Sequence, residues 1–332
     1  FMSGVCSGFS IPVSQYFGAK NERELQRSIA NGAWVAAILG IIITIVTVLG
    51  TEWIMQLMQT PANIFDDACA YIRVIFMGTL ATVLYNLLSS YLRALGDSKT
   101  PLVFLVISSA LNIIFDLLFI VVFKMGVAGA AWATVTGQVV SGLMVLGYIP
   151  RFKTLKLKLS DFRLDPKYCL PIVSLGLTPF FNQVAMMAVQ VVLNNTMTHY
   201  GALSVYGSDI PLACSGIIAK VGMIFFSVVI GICQGMQPIV SFNFGASNFK
   251  RVKETVILAC KAAAAISIVA FLCFQLFPRQ IIGFFGGGSP EYFDFAERYF
   301  RIYMFFICVN FLQPISSNFF TAVGMPKRGV FL

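Results

Sequence analysis

Runs of about 20 apolar residues recur from one end of this 332-residue chain to the other, and no other feature limits its fold so tightly. Each run is long enough to cross a hydrocarbon core about 30 Å thick. Inside hydrocarbon a backbone must satisfy its own hydrogen bonds, so such runs are helices unless they close into a barrel. A soluble core helix would show one polar face, whereas these runs are apolar nearly all round. Composition agrees: 58% of residues are hydrophobic and 11% charged, where a soluble domain carries about one quarter charge. The fold class is an all-α integral membrane protein.

Ten apolar segments are expected, at 1–16, 31–50, 68–92, 101–123, 127–149, 169–198, 210–242, 256–277 and 296–322, with another starting near 328. Between the fifth and sixth lies a basic linker, 150–168, with no apolar run. It separates a first lobe, 1–149, from a second, 169–332. The net charge of +9 does not point to nucleic acid, because the basic residues sit in short loops. Loops 17–28, 93–100, 151–167, 245–254 and 324–329 hold 16 of the 23 Lys and Arg, and the alternating loops carry Glu52, Asp66, Asp67 and Asp209. The positive-inside rule places the basic set in the cytoplasm, which makes this a multi-pass protein of the inner (plasma) membrane. The eight cysteines are scattered without a CxxC pair and read as small apolar residues. The chain opens inside one apolar segment and closes just after another begins, so further spans are expected beyond both ends.

A duplication is visible. FGAKN at 17–21 recurs as FGASN at 244–248, and SSYLRALGDSK at 89–99 has a weaker echo in SNFFTAVGMPK at 317–327. The shifts, 227 and 228 residues, agree with one internal repeat of parallel topology. The expected whole is two six-helix lobes with twelve spans, of which nine to ten fall in this chain: spans two to six, then seven to ten and the start of the eleventh.

Within this frame Asp116 is the one acidic residue that the pattern places inside a span. It lies about 12 Å deep, counted from Lys124 at 1.5 Å per residue. Intramembrane carboxylates are costly and mark ion or proton pathways; the plain alternative is an Asp neutralised in helix packing. Asn112 is one turn earlier on the same face, Thr134 reaches a similar depth in the next span, and Tyr71 ends near them. Asp116, Asn112 and Thr134 offer hard oxygen ligands to a sodium ion, or a carboxylate to carry a proton. In the second lobe Gln183, Gln190 and Met187 are candidate cleft-lining residues, with polar or apolar helix packing as the plain reading. Lys220 either lines that cleft or snorkels to an interface. His199, the only histidine, ends a helix next to Tyr200, and Gly286–Gly288 is a turn without the Lys-Ser/Thr of a phosphate loop. No nucleotide-binding motif or catalytic cluster is present, so an enzyme is not expected.

The segments QYFGAKN, YLRALGDSKTP, LNIIFDLLFI, GVAGAAWATVTGQ and GICQGMQPIVSFNFGASNFKRVKE, taken in order, resemble the multidrug and toxic-compound extrusion (MATE) family in its bacterial drug-exporter branch. The resemblance implies two lobes around a central cleft. It also implies export of small, often cationic, organic compounds in exchange for protons or sodium, with no other cofactor. The family's cation site in the first lobe matches Tyr71, Asn112, Asp116 and Thr134, and adds an acid on a first helix that this chain lacks. The expected function is therefore a cation-coupled antiporter, a monomer in the bilayer working by alternating access. A flippase for a lipid-linked saccharide or peptide metabolite is the alternative.

Overall fold

Polar caps and left-handed turns, spaced one repeat apart, set the limits of the helices. In the computed structural model, which describes residues 2–58, 60–148, 159–207, 209–285 and 289–331, no strand occurs among the described residues. The first helices are α1 (Met2–Gly18), α2 (Glu22–Leu49), α3 (Thr51–Leu57), α4 (Phe65–Met77) and α5 (Thr79–Ala94). Helix α6 (Lys99–Asp116) runs on into a π-helical stretch, Leu117–Val122, and α7 is Gly126–Tyr148. After them come α8 (Pro166–Ala202), α9 (Asp209–Gly245), α10 (Phe249–Leu276), α11 (Pro278–Phe285) and α12 (Pro290–Tyr303), then the shorter α13 (Ile307–Asn310), α14 (Leu312–Ala322) and α15 (Pro326–Phe331). Most of the linker expected at 150–168, and the Gly286–Gly288 turn, lie outside the described residues.

The repeat extends beyond the two short sequence matches. Lys20 and Ser247 both turn left-handed at φ 57°. Asn21 and Asn248 then cap α2 and α10, each accepting the N–H three residues on at 3.3 Å. Gly96 and Gly324 close α5 and α14 at φ 93° and 83°, which a side chain would resist. The Ser14 hydroxyl donates to the Ala94 carbonyl at 3.4 Å, and Ser241 to Ala322 at 3.0 Å. These are the same joint made twice.

Among the described residues six helices are long and apolar enough to cross a bilayer, and two bent pairs, each taken as one span, bring the number to eight. Helix α1, with 17 residues, is at the short end of a crossing length. The segments expected at 68–92 and 296–322 are broken, bending by 41° between α4 and α5 and by 40° between α12 and α14. At the first break Gly78 leans on α7, where a Cβ would come within 2.6 Å of the Val135 side chain. Helix α12 is amphipathic rather than uniformly apolar, with Glu297 and Arg301 paired at 2.8 Å. Hydropathy reports burial in lipid and not backbone direction, so neither bend is written in the apolar runs.

By internal contacts the chain falls into two units, Phe1–Leu177 and Thr178–Leu332, divided inside α8 and not in the linker. Residues 159–177 stay with the first unit for local reasons. Buried Asn31 of α2 accepts the Asp165 N–H at 2.9 Å and the Cys169 thiol at 3.4 Å. Lys167 reaches Glu24 at 3.4 Å. Ile172 is fully buried, and Gly8 and Gly176 let α1 and α8 close up: a Cβ on Gly8 would lie 2.6 Å from the Leu175 carbonyl, and one on Gly176 would meet the Phe9 ring. In the second unit Val229, Val240, Phe300 and Ile315 are among the buried side chains of the core.

The α5–α6 loop is tied down by Asp97, which accepts the Thr100 N–H at 3.0 Å and the Tyr148 hydroxyl at 3.1 Å. Partial burial alone would raise this carboxyl. Hydrogen bonds from Thr100, Tyr148 and the Lys99 N–H outweigh it and hold the group below the usual carboxylate value. A depressed folded-state value means the contribution is complete above the unfolded value, about 3.9, and is lost as pH falls through the folded one. The melting-temperature gap between wild type and Asp97→Asn in detergent is therefore expected to be constant above about pH 4 and to close below it. Packing gives a second expectation. The Tyr91 hydroxyl occupies the space where a Cβ on Gly32 would stand, so Gly32→Val overpacks and costs about 1–3 kcal/mol. Gly147→Ala, which meets nothing within 4 Å, leaves the melting temperature unchanged or raises it slightly.

Candidate cation-coupling site

The site is built on the seam between α6 and α7, the most closely associated helix pair of the first unit. Gly137 faces α6 across the seam, where a Cβ would make ordinary contact, 3.5 Å from the Asn112 Cβ and 3.4 Å from the Ser108 carbonyl. Its own carbonyl accepts two hydroxyls, Ser108 from α6 and Ser141 from the next turn of α7, each at 2.9 Å. One turn along, the Asn112 amide nitrogen donates to the Thr134 hydroxyl oxygen at 3.5 Å. Thr134 spends its proton on the Ala130 carbonyl at 3.1 Å, so it is free to accept. That arrangement leaves the Asn112 amide oxygen without a partner among the described residues.

Asp116 follows Asn112 by one turn and is the last residue of α6 before the helix widens into Leu117–Val122. It is half-buried, and among the described residues its carboxylate makes no hydrogen bond and no ion pair. A π-helical turn exchanges i→i+4 bonding for i→i+5, and such turns gather at functional sites. Stacked rings, Phe115 on Phe119 at 5.7 Å and Phe119 on Phe123 at 6.0 Å, line the same stretch. Tyr71 of α4 packs beside Val74, Ala131 and Val135, level with Thr134, and the structure gives its hydroxyl no hydrogen bond. Of the four residues one contact is formed, Asn112 to Thr134; Asp116 follows Asn112 by one turn, and Tyr71 packs on α7 beside Ala131 and Val135. The Asp116 carboxylate and the Asn112 amide oxygen stand without a partner among the described residues. Among the described residues no three His, Cys, Asp or Glu side chains gather as a metal centre. The oxygen set is of the hard, weakly charged kind that suits a proton or an alkali cation.

The second-lobe candidates are more dispersed. Gln183, Met187 and Lys220 are exposed on α8 and α9. Gln190 is half-buried and already donates to the Asn194 side chain at 3.0 Å. Neighbouring Asn182 bonds Ser317 at 3.1 Å, a helix-packing contact. Lys220 stands about as far along α9 from the α9–α10 turn as Phe274 does along α10, close to the end of that helix, so its ammonium has a short reach to an interface. His199 meets the Tyr200 ring edge-on at 5.2 Å.

The sequence pattern missed a polar cluster in the first unit. The Thr82 hydroxyl donates to the Gln138 amide oxygen, and Asn86 donates to the Thr82 carbonyl at 2.8 Å. Thr82 and Asn86 are four apart, one helical turn, and that spacing was the available signal. The π-helical turn, LLFIVV, has the composition of any apolar span and carries no sequence signal.

The fold is that of a multi-pass, all-helical membrane protein built on an internal repeat, and Asp116 stands without an ion pair among the described residues, well inside one of its spans. The chain belongs to the MatE family, whose model matches residues 1–118 and 182–332. It is similar to the probable multidrug resistance protein YoeA of Bacillus subtilis, 25% identical over 86% of this chain and 62% of that protein. The probable multidrug resistance protein YpnP of the same organism is 29% identical over 79% of this chain and 58% of that one. The multidrug export protein MepA of Staphylococcus saprophyticus is 24% identical, over 83% and 60%. The chain therefore spans about 60% of the length of these curated relatives. Among solved structures, the outward-facing conformation of a multidrug resistance MATE family transporter of the MOP superfamily superposes with a TM-score of 0.91 at 21% identity, over 99% of this chain and 72% of that one. A crystal structure of MATE in the bent conformation gives 0.90 at 22%, over the same shares. At these identities the structural likeness concerns the fold.

Proposed function

We propose that this chain works in a cation-coupled antiporter that exports small organic compounds across the plasma membrane, with the basic loops in the cytoplasm. The observation that carries the coupling is Asp116, a carboxylate without a partner among the described residues, one turn from an amide oxygen equally free. A carboxylate held inside a span without a counter-charge is costly, and a proton or sodium ion removes that cost. Membership of the MatE family, and relatives named for multidrug resistance and export, support the substrate class. They give no support to a lipid-linked substrate.

In this reading the ion binds from outside at Asp116, Asn112 and Thr134, with Tyr71 beside them. The π-helical turn lets the end of α6 repack when the carboxylate changes charge, and that change disfavours the substrate-bound state. Return to the inward-open state releases the ion and admits the next substrate. Ion and substrate are coupled only because each favours a different state. Gln183, Met187, Gln190 and Lys220 are the second-lobe residues we assign to the substrate surface. Exposed methionine suits compounds of varied shape, and the glutamines supply adaptable hydrogen bonds.

The test follows efflux of a fluorescent organic cation from proteoliposomes holding the full-length protein, under a proton gradient and a sodium gradient applied separately. Wild type is expected to transport under one gradient, and Asp116→Asn to lose gradient-driven transport by about 100-fold or more while folding normally. Asn112→Ala is expected to weaken ion affinity with a smaller loss. Full activity of Asp116→Asn would remove the assignment, and absence of transport under either gradient would remove the antiport reading.

A further inference from the structure

Helix α7 carries a polar row that runs on past the Asp116 seam and passes from α6 to α5. Gly137 faces Ser108 of α6, while Val135 stands against Gly78 at the start of α5 and Gly142 against Leu84. At 100° per residue Thr134 and Gln138, one turn apart, fall between those two faces. Thr134 is met by Asn112 from α6 at 3.5 Å, and Gln138 by Thr82 from α5. Asn86, one turn past Thr82, donates to the Thr82 carbonyl at 2.8 Å. Asp116, Asn112, Gln138 and Asn86, all half-buried, therefore follow one another in steps of one helical turn, about 6 Å each. The row descends from Asp116 toward the α5–α6 loop.

The hydrogen bonds give this row one polarity. Thr134 passes its proton to the Ala130 carbonyl, takes the Asn112 N–H, and leaves that amide oxygen free. Thr82 also has one proton to place, with the Gly78 carbonyl four residues back at 3.2 Å and the Gln138 amide in reach. With the proton on Gly78, as in Thr134, the Thr82 oxygen accepts an N–H from Gln138, and the Gln138 oxygen is freed in turn. The Asn86 oxygen has no partner among the described residues. Three amides thus spend N–H groups on the protein and leave oxygens over. Polar groups that serve only to join helices are satisfied at both ends, and an oxygen left alone in an apolar span is costly until a cation or a donor reaches it. Amide oxygens take up no proton near neutral pH, so of the two ions open to the antiport reading the row suits sodium, a taker of neutral oxygen ligands. Arg93 stands two turns beyond Asn86 on the same face of α5, bonded to the Ser90 hydroxyl at 3.1 Å. Its charge weakens the hold on a cation at the end where the ion must leave. We propose that Gln138 and Asn86 form a second sodium station inward of Asp116, through which the ion departs toward the cytoplasm with water completing its shell. The proposal rests on Asp116 as the outer site.

The test measures exchange of radioactive sodium across proteoliposomes holding the full-length protein, with equal sodium on both sides and no drug. Binding is read separately, as the sodium concentration that gives half of the ion's stabilisation against heat. Gln138→Leu and Asn86→Leu are each expected to slow exchange about tenfold, while the half-saturating concentration stays within about twofold of wild type. Gln138→Glu keeps an oxygen for Thr82 and adds a charge, so it is expected to bind sodium about tenfold more tightly. It carries the test where the leucine variants do not fold. Asp116→Asn is expected to lose both binding and exchange. Unchanged exchange in Gln138→Leu, binding lost there as fully as in Asp116→Asn, or unchanged affinity in Gln138→Glu would each overturn the station. A wild type that exchanges no sodium would overturn it too, yet transport driven by protons would then leave the antiport reading standing.

Discussion

A leucine facing lipid is as well solvated as a leucine in a helix interface, so these helices associate only where their surfaces fit closely. Glycine supplies the fit at point after point. Gly8 receives the Leu175 carbonyl, Gly176 receives the Phe9 ring, Gly32 receives the Tyr91 hydroxyl and Gly78 receives Val135. The first of these has a further cause in the sequence. Pro179 has no N–H, so the Leu175 carbonyl lacks its usual partner four residues on, and it comes to lie against α1 at Gly8, which has no side chain. Dispersion between closely packed backbones and side chains then does in hydrocarbon what the hydrophobic effect does in water.

The Asp116 seam is held by polar contacts. The Gly137 carbonyl accepts the Ser108 hydroxyl at 2.9 Å, and one turn along Asn112 reaches Thr134. These contacts fix the two neutral groups, while Asp116 stands at the end of the regular helix, where Leu117–Val122 supplies a looser register. Under the proposed ion coupling, a fixed amide–hydroxyl pair beside an adaptable carboxylate divides selection of the ion from its release.

Much of this was legible in the sequence. The spans were, because about 20 apolar residues in a row have few other uses, and the helix limits fell close to the apolar runs. The repeat was legible from five residues at its strongest point, FGAKN and FGASN, because a left-handed turn followed by an asparagine cap tolerates few residue types. Asp116, Asn112 and Thr134 were legible as polar residues at helical spacing in apolar surroundings. The two bends were not, since a bend at Gly78 reflects the shape of Val135 on another helix. The π-helical turn after Asp116 was also silent, its residues being the Leu, Ile, Val and Phe of any span. Nor did composition show that residues 159–177 pack with the first unit, because that attachment rests on particular contacts, among them Asn31 with Asp165 and Cys169 and Lys167 with Glu24, and not on an apolar run.

That asparagine has a counterpart 227 residues on, and the counterpart is Leu258, 68% exposed. The two copies share their caps, their left-handed turns and the serine joint, yet part company here. A duplicated protein joined into one chain must break its own symmetry somewhere, because only one copy carries the strand of backbone that leads to the other. Asn31 marks that place: a buried amide stitches the connecting segment to the first copy, while the matching position of the second copy is an exposed leucine.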